Sequence, residues 1–189
     1  MEQAIAAMAE WQGRAVQYRP VSGGISNANW HVAVEGAPCA YFVKVPGEGT
    51  ERFINRDTAH EASLKAAQTG YGVPVVAYLR DLGVEVFEFI DGWRASSNLD
   101  FQQQAIRHRA LQGLKSFNDQ PLLKQNKTVF DMLDEHIEQV KALRVPFSAD
   151  AIWLHKQVQR AQQALQAAGL DLVPCMNDTL AGNFMLNAQ

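Results

Sequence analysis

Pro174-Cys175-Met176-Asn177-Asp178-Thr179-Leu180-Ala181-Gly182-Asn183-Phe184 places an Asp, four residues and then an Asn near the end of the chain. The spacing has a physical meaning. A short loop that doubles back aims both side chains at one point, where a carboxylate takes the proton of an attacking hydroxyl and an amide oxygen holds a metal ion. Kinase-type phosphoryl transfer uses that pair. Asp and Asn are also frequent in loops because they favour turns, so the reading depends on what precedes them.

The chain of 189 residues is long enough to bury a core as one domain or two small ones, and 47% hydrophobic with 20% charged residues is ordinary for a globular protein. A formal net charge of -3 gives no electrostatic footprint for nucleic acid or an anionic membrane. Cys39 and Cys175 lie far apart and form no C-x-x-C pair, which fits a reduced chain. Met1 to Trp11 carries Glu2 and Glu10 without a basic leader, and reads as an amphipathic helix rather than a signal peptide. No run approaches the roughly 20 apolar residues of a membrane span. These features place the expected location in the cytoplasm.

The first half reads as strands with one helix. Val16 to Val21 and Ala28 to Glu35 flank Ser22-Gly23-Gly24-Ile25-Ser26-Asn27, and Ala40 to Val45 is a buried-type strand. Asp57 to Thr69 has helical spacing closed by Gly70 and Gly72. Val73 to Leu79 and Val84 to Ile90 form a hairpin around Asp81-Leu82-Gly83. From Phe101 the pattern turns helical, over Phe101–Phe117, Val129–Leu143 and Ala149–Ala168. Strands followed by helices make an α+β chain of two lobes. The N-terminal lobe, 1–92, is an antiparallel sheet with one helix, and the C-terminal lobe, 93–189, is mainly helical.

Four pieces occur in the order that nucleotide phosphoryl transfer needs. Gly23-Gly24 sits between two strands, where the absence of Cβ atoms lets backbone N–H groups approach phosphate oxygens. On its own the turn is that of an ordinary hairpin, since it matches neither common phosphate-loop pattern. Lys44 lies between Val43 and Val45 and points away from them, toward solvent or toward phosphates. Glu61 on the following helix is a candidate partner for Lys44, or an exposed helical Glu. The Asp178/Asn183 loop is the fourth piece. Between the halves, Phe87-Glu88-Phe89-Ile90 is a strand able to offer backbone N–H and C=O groups to an adenine.

Taken together, the sequence resembles the choline/ethanolamine kinase family, a branch of the protein-kinase-like fold that includes the aminoglycoside phosphotransferases. The matching runs are S-G-G-I-S-N-A-N (22–29), Y-F-V-K-V-P-G-E-G-T-E-R-F-I-N-R (41–56), V-F-E-F-I-D-G (86–92), V-F-D-M-L-D-E-H (129–136) and L-V-P-C-M-N-D-T-L-A-G-N-F-M-L (172–186). The second and last are the most specific. The resemblance implies that Gly23, Gly24, Ser26 and Asn27 lie in the loop over the ATP phosphates and that Lys44 binds those phosphates. It also implies that Glu88 and Ile90 offer backbone to adenine, Asp178 is the catalytic base and Asn183 binds Mg²⁺.

The chain departs from the family pattern at several points. Met176 stands where the family has His and Ala181 where it has Pro; the His normally helps fix the loop backbone. The helix carboxylate of the family falls at Ala59, and Glu61 is two residues further on. Leu114-Lys115-Ser116 replaces the family's Leu-His-Ser. The family's second magnesium-binding Asp and its amine pocket come after the Asn, beyond Gln189.

The five histidines are scattered and give no zinc motif. Trp30, Trp93 and Trp153 are expected as packing residues. Asp131, Asp134, Glu135 and Glu138 are spaced as a solvated helix face, with a site for a cationic substrate as the other reading. The expected function is transfer of the γ-phosphoryl group of ATP, with Mg²⁺, to the hydroxyl of a small amino alcohol such as choline or ethanolamine. The alternative is a non-catalytic nucleotide-binding remnant or an inactive fragment of such an enzyme. Oligomeric state is not legible.

Overall fold

The structure is a computed structural model and describes residues 1–187. The chain divides into two compact units, one of Met1–Pro121 with the chain from Pro174 onward, the other of Leu122–Val173.

The first unit is built on a five-stranded antiparallel sheet. Its strands are β1 (Val16–Val21), β2 (Asn27–Val34), β3 (Tyr41–Pro46), β4 (Val75–Leu79) and β5 (Val84–Glu88), in spatial order β1-β2-β3-β5-β4. Alternation along the strands sorts the side chains. Trp30, Val43 and Val86 face one another across β2, β3 and β5, and Val32, Val43 and Val86 are fully buried. The helix α1 (Glu2–Ala7) and the 3-10 turn Ala9–Trp11 supply Ala4, Met8 and Trp11 to the same core. The amphipathic N-terminus therefore caps one face of the sheet. The residues next along β3 and β5, Lys44 and Glu85, must then project from the opposite face.

The helix α2 (Arg56–Gln68) follows β3. Its N-cap is Asn55, whose side chain accepts from Thr58 N–H at 3.0 Å. Tight packing at its end explains Gly72, because a Cβ there would lie 2.5 Å from the Ala66 carbonyl carbon. The helix α3 (Gln104–Asn118) belongs to this unit too.

A two-stranded ribbon, β6 (Arg94–Ala95) with β7 (Met185–Leu186), joins the segment after the sheet to the end of the chain. Sequence periodicity shows nothing of it, since two-residue strands carry no period.

The second unit holds α4 (Val129–Ala142) and α5 (Ala151–Ala168). Thr128 and Asp131 form a reciprocal capping box at the start of α4. His155 Nε2 of α5 lies 3.7 Å from Asp134 Oδ1 of α4. Within 122–173, Phe130 is the one buried residue among those described.

The expected strands and helices are present, with ends shifted by a few residues. The tryptophans need correction. Trp30 packs against the core, but Trp93 and Trp153 are 44% and 60% exposed. The buried tryptophan is Trp11, 5.2 Å ring to ring from Tyr41.

Candidate functional site

The glycine turn is shaped by its neighbours. Gly23 and Gly24 have φ of 109° and 85°, a backbone that L side chains rarely adopt. Asn29 Nδ2 donates to Gly23 O at 2.9 Å, and a Cβ on Gly24 would come within 3.0 Å of that nitrogen. The far side of the turn is pinned as well. Gly47 N–H donates to Ser26 O at 3.0 Å. Asn27 Nδ2 donates to Ser26 Oγ at 3.2 Å, and Asn27 Oδ1 accepts from Arg56 Nη1 at 2.9 Å. Arg56 Nη2 also donates to Thr50 Oγ1, which donates to Gly47 O at 2.7 Å. Both ends of the turn are thus held, while Ile25 at its tip is fully exposed. Arg56 and Thr50, both within the 41–56 run, do this structural work.

Lys44 projects from the face of the sheet opposite the α1 core, in register with Asn29 on β2 and Glu85 on β5. Its Nζ lies 3.6 Å from Glu85 Oε2. The sequence pointed to Glu61 as the partner. The carboxylate found beside Lys44 is Glu85, and Glu61 Oε1 lies 3.9 Å from Lys65 Nζ one turn along α2. The reason is geometric: cross-strand neighbours in register share a face of the sheet and bring their side chains together. A readable signal existed, because Val84-Glu85-Val86 repeats with opposite charge the pattern Val43-Lys44-Val45.

Glu85 is buried, and its second oxygen lies 3.2 Å from His60 Nδ1 of α2. His60 stacks on Tyr78 of β4 with centroids 4.2 Å apart, and Tyr78 donates to Asp57 Oδ1 at 3.0 Å. Burial, then the hydrogen bond to Asp57, pushes the Tyr78 phenol above its ordinary pKa.

At the end of β5, Glu88 N–H donates to Pro74 O at 3.1 Å and Phe89 N–H to Ala40 O at 2.9 Å. Backbone groups alternate sides along an extended chain, so Glu88 C=O turns away from β3. Ile90 O accepts from Trp93 N–H at 3.4 Å, which begins the departure from the sheet.

Asp178 and Asn183 meet directly, Asn183 Nδ2 donating to Asp178 O at 2.9 Å. That bond closes the loop and leaves Asn183 Oδ1 as a hard oxygen donor. The 3-10 turn Ala181–Asn183 is anchored by Ser96, whose N–H donates to Phe184 O at 2.8 Å and whose hydroxyl donates to Ala181 O. Asn118 of α3 donates to Pro174 O at 2.7 Å at the start of the stretch. Beneath Ser96, Arg94 makes a two-pronged pair with Asp100 at 2.8 and 2.6 Å, and Ser97 adds two further bonds to the same carboxylate. Among the described residues, no hydrogen bond or ion pair joins Asp178 to Lys44, and no cluster of three His, Cys, Asp or Glu side chains forms a metal cage. Mg²⁺ is held through a few hard protein oxygens together with phosphates and water, and Asn183 Oδ1 is one neutral oxygen of that type.

A phosphotransferase enzyme family, APH, matches residues 17–189. The chain belongs to the APH phosphotransferase family. No curated protein matches the chain. Among solved structures, a choline/ethanolamine kinase family protein from Mesorhizobium loti is 21% identical with a TM-score of 0.75, covering 98% of this chain and 59% of its own. LicA in complex with AMP is 20% identical with a TM-score of 0.76, covering 99% and 63%. The choline kinase LicA from Streptococcus pneumoniae is 17% identical with a TM-score of 0.74, covering 99% and 64%. The APH chain therefore has the kinase-like fold, and it spans about three-fifths of the length of these structures. The helical region that follows the sheet is correspondingly a part of the one in those structures.

Proposed function

We propose that this chain carries the nucleotide and catalytic-loop portion of an ATP- and Mg²⁺-dependent kinase that phosphorylates the hydroxyl of a small amino alcohol such as choline or ethanolamine. The observation that carries the reading is the closed Asp178–Asn183 loop, tied by one hydrogen bond and anchored by Ser96. It leaves the Asp178 carboxylate and the Asn183 amide oxygen as the acceptors such a transfer needs.

In this reading the turn at Gly23, Gly24, Ser26 and Asn27 covers the phosphates, mainly through backbone N–H groups, since the Asn27 side chain is engaged with Arg56. Lys44 neutralises phosphate charge. Glu88 C=O and Ile90 N–H receive the adenine at the end of β5. Asn183 Oδ1 would hold Mg²⁺, which when bound offsets negative charge between the phosphates. Asp178 orients the acceptor hydroxyl and takes its proton as the bond to the γ-phosphorus forms and the bond from that phosphorus to the bridging oxygen of ADP breaks. Catalysis is then positioning and electrostatics carried by few residues. The small-molecule acceptor follows the family. Among the described residues, no helix is long and apolar enough to cross a membrane. A cytoplasmic site of action is part of the proposal.

The test is ADP release from MgATP with choline, ethanolamine and related alcohols, comparing the native sequence with D178N. Asp178→Asn is expected to lower turnover by about a thousandfold, roughly 4 kcal/mol of barrier, with ATP affinity retained. Unchanged turnover would remove Asp178 as the base. ATP binding by the native sequence with no transfer to any alcohol would favour a nucleotide-binding protein without catalysis.

A further inference from the structure

Glu85 is a carboxylate in an unusual position. It is 4% exposed, on a central strand, and flanked by Val84 and Val86 in the apolar core. Burying a charge is costly unless partners surround it. Here each oxygen has a separate partner from a separate element: Oε2 faces Lys44 Nζ of β3 at 3.6 Å, and Oε1 faces His60 Nδ1 of α2 at 3.2 Å. The imidazole is fixed in turn by its stack on Tyr78, whose hydroxyl is tied to Asp57. Asp57 also pairs with Arg80 Nε at 3.2 Å.

We propose that Glu85 is the residue that positions Lys44 for nucleotide phosphate, and that His60 positions Glu85. The inference rests on reading Lys44 as a phosphate-binding cation. A lysine on a four-carbon stem has many rotamers, and fixing one in advance removes an entropy cost from binding. Because Lys44 and Glu85 are in cross-strand register, the sheet itself sets their distance. His60 is the contribution of α2, so the helix acts on Lys44 through the strand carboxylate. This arrangement gives His60, one residue after Ala59 on α2, a reason to face the sheet.

Calorimetric titration of MgATP and of adenosine into the native protein, K44M, E85Q, H60Q and K44M/E85Q tests the proposal. Lys44→Met and Glu85→Gln are each expected to weaken ATP binding about tenfold while leaving adenosine within about twofold. In the K44M background, E85Q should add nothing, because a positioning residue acts only through the group it positions. Equal losses for ATP and adenosine, or an undiminished E85Q effect without Lys44, would overturn the role of Glu85. ATP binding that K44M leaves intact would instead overturn the phosphate reading of Lys44. If E85Q does not fold, H60Q carries the test from the helix side: a loss of about threefold for ATP, absent in K44M/H60Q, supports the proposal, and the same loss in both backgrounds refutes it.

Discussion

Gly24 shows how much a single residue can decide. Its φ of 85° lies where L side chains rarely go, and the space a Cβ would take is held by Asn29 Nδ2 at 3.0 Å. Gly24→Ala is therefore strained twice, by backbone and by contact. The expected cost is about 1–2 kcal/mol, read as a lower denaturant midpoint with an unchanged slope. An unaffected midpoint would mean that the turn relaxes freely and does not depend on this glycine. At Lys44 the lesson is different. The sequence identified the cation, but the carboxylate beside it sits on a strand that is distant in sequence and adjacent in space.

At the scale of the element, the Asp178–Asn183 stretch depends on the small ribbon that supports it. Asp100 is held well below the usual carboxylate range by hydrogen bonds from Arg94, then from the Ser97 hydroxyl and backbone N–H. A depressed carboxylate stabilises the fold at pH above its unfolded value, about 4, and loses that contribution as pH falls through its folded value. Asp100→Asn should thus lower stability most at neutral pH, with the two curves converging on acidification. Denaturant midpoints for native and D100N protein, at neutral pH and in steps down to pH well below the usual carboxylate range, measure this. A constant difference between them would assign the effect of D100N to packing instead of charge. The larger elements were legible in advance: α2, α3, α4 and α5 announced themselves by helical spacing, and the sheet by alternation. The β6–β7 ribbon did not, since its pairing depends on residues far apart along the chain.

Over the whole molecule, apolar surface is the unresolved charge against stability. Val129, Met132, Leu143, Phe147, Ile152 and Trp153 of the second unit are all more than two-fifths exposed. Exposed apolar residues in that number are uncommon on a stable monomer. The 189-residue chain is expected to self-associate and to bind a hydrophobic dye, with sedimentation velocity showing concentration-dependent growth. A monodisperse monomer that unfolds cooperatively would contradict this.

The sequence alone determined the order of elements, the core faces of the strands and the residue types at the candidate site. Those are local or periodic properties, written within a few residues of one another. The Asp178–Asn183 spacing belongs with them, because a single short loop closes it. Tertiary structure decided which groups meet. Glu85 reaches Lys44 through strand register, Arg56 reaches Asn27 across the turn, and Ser96 anchors the loop through a ribbon. Each depends on a distance between segments far apart in the chain, which packing sets and local sequence does not encode.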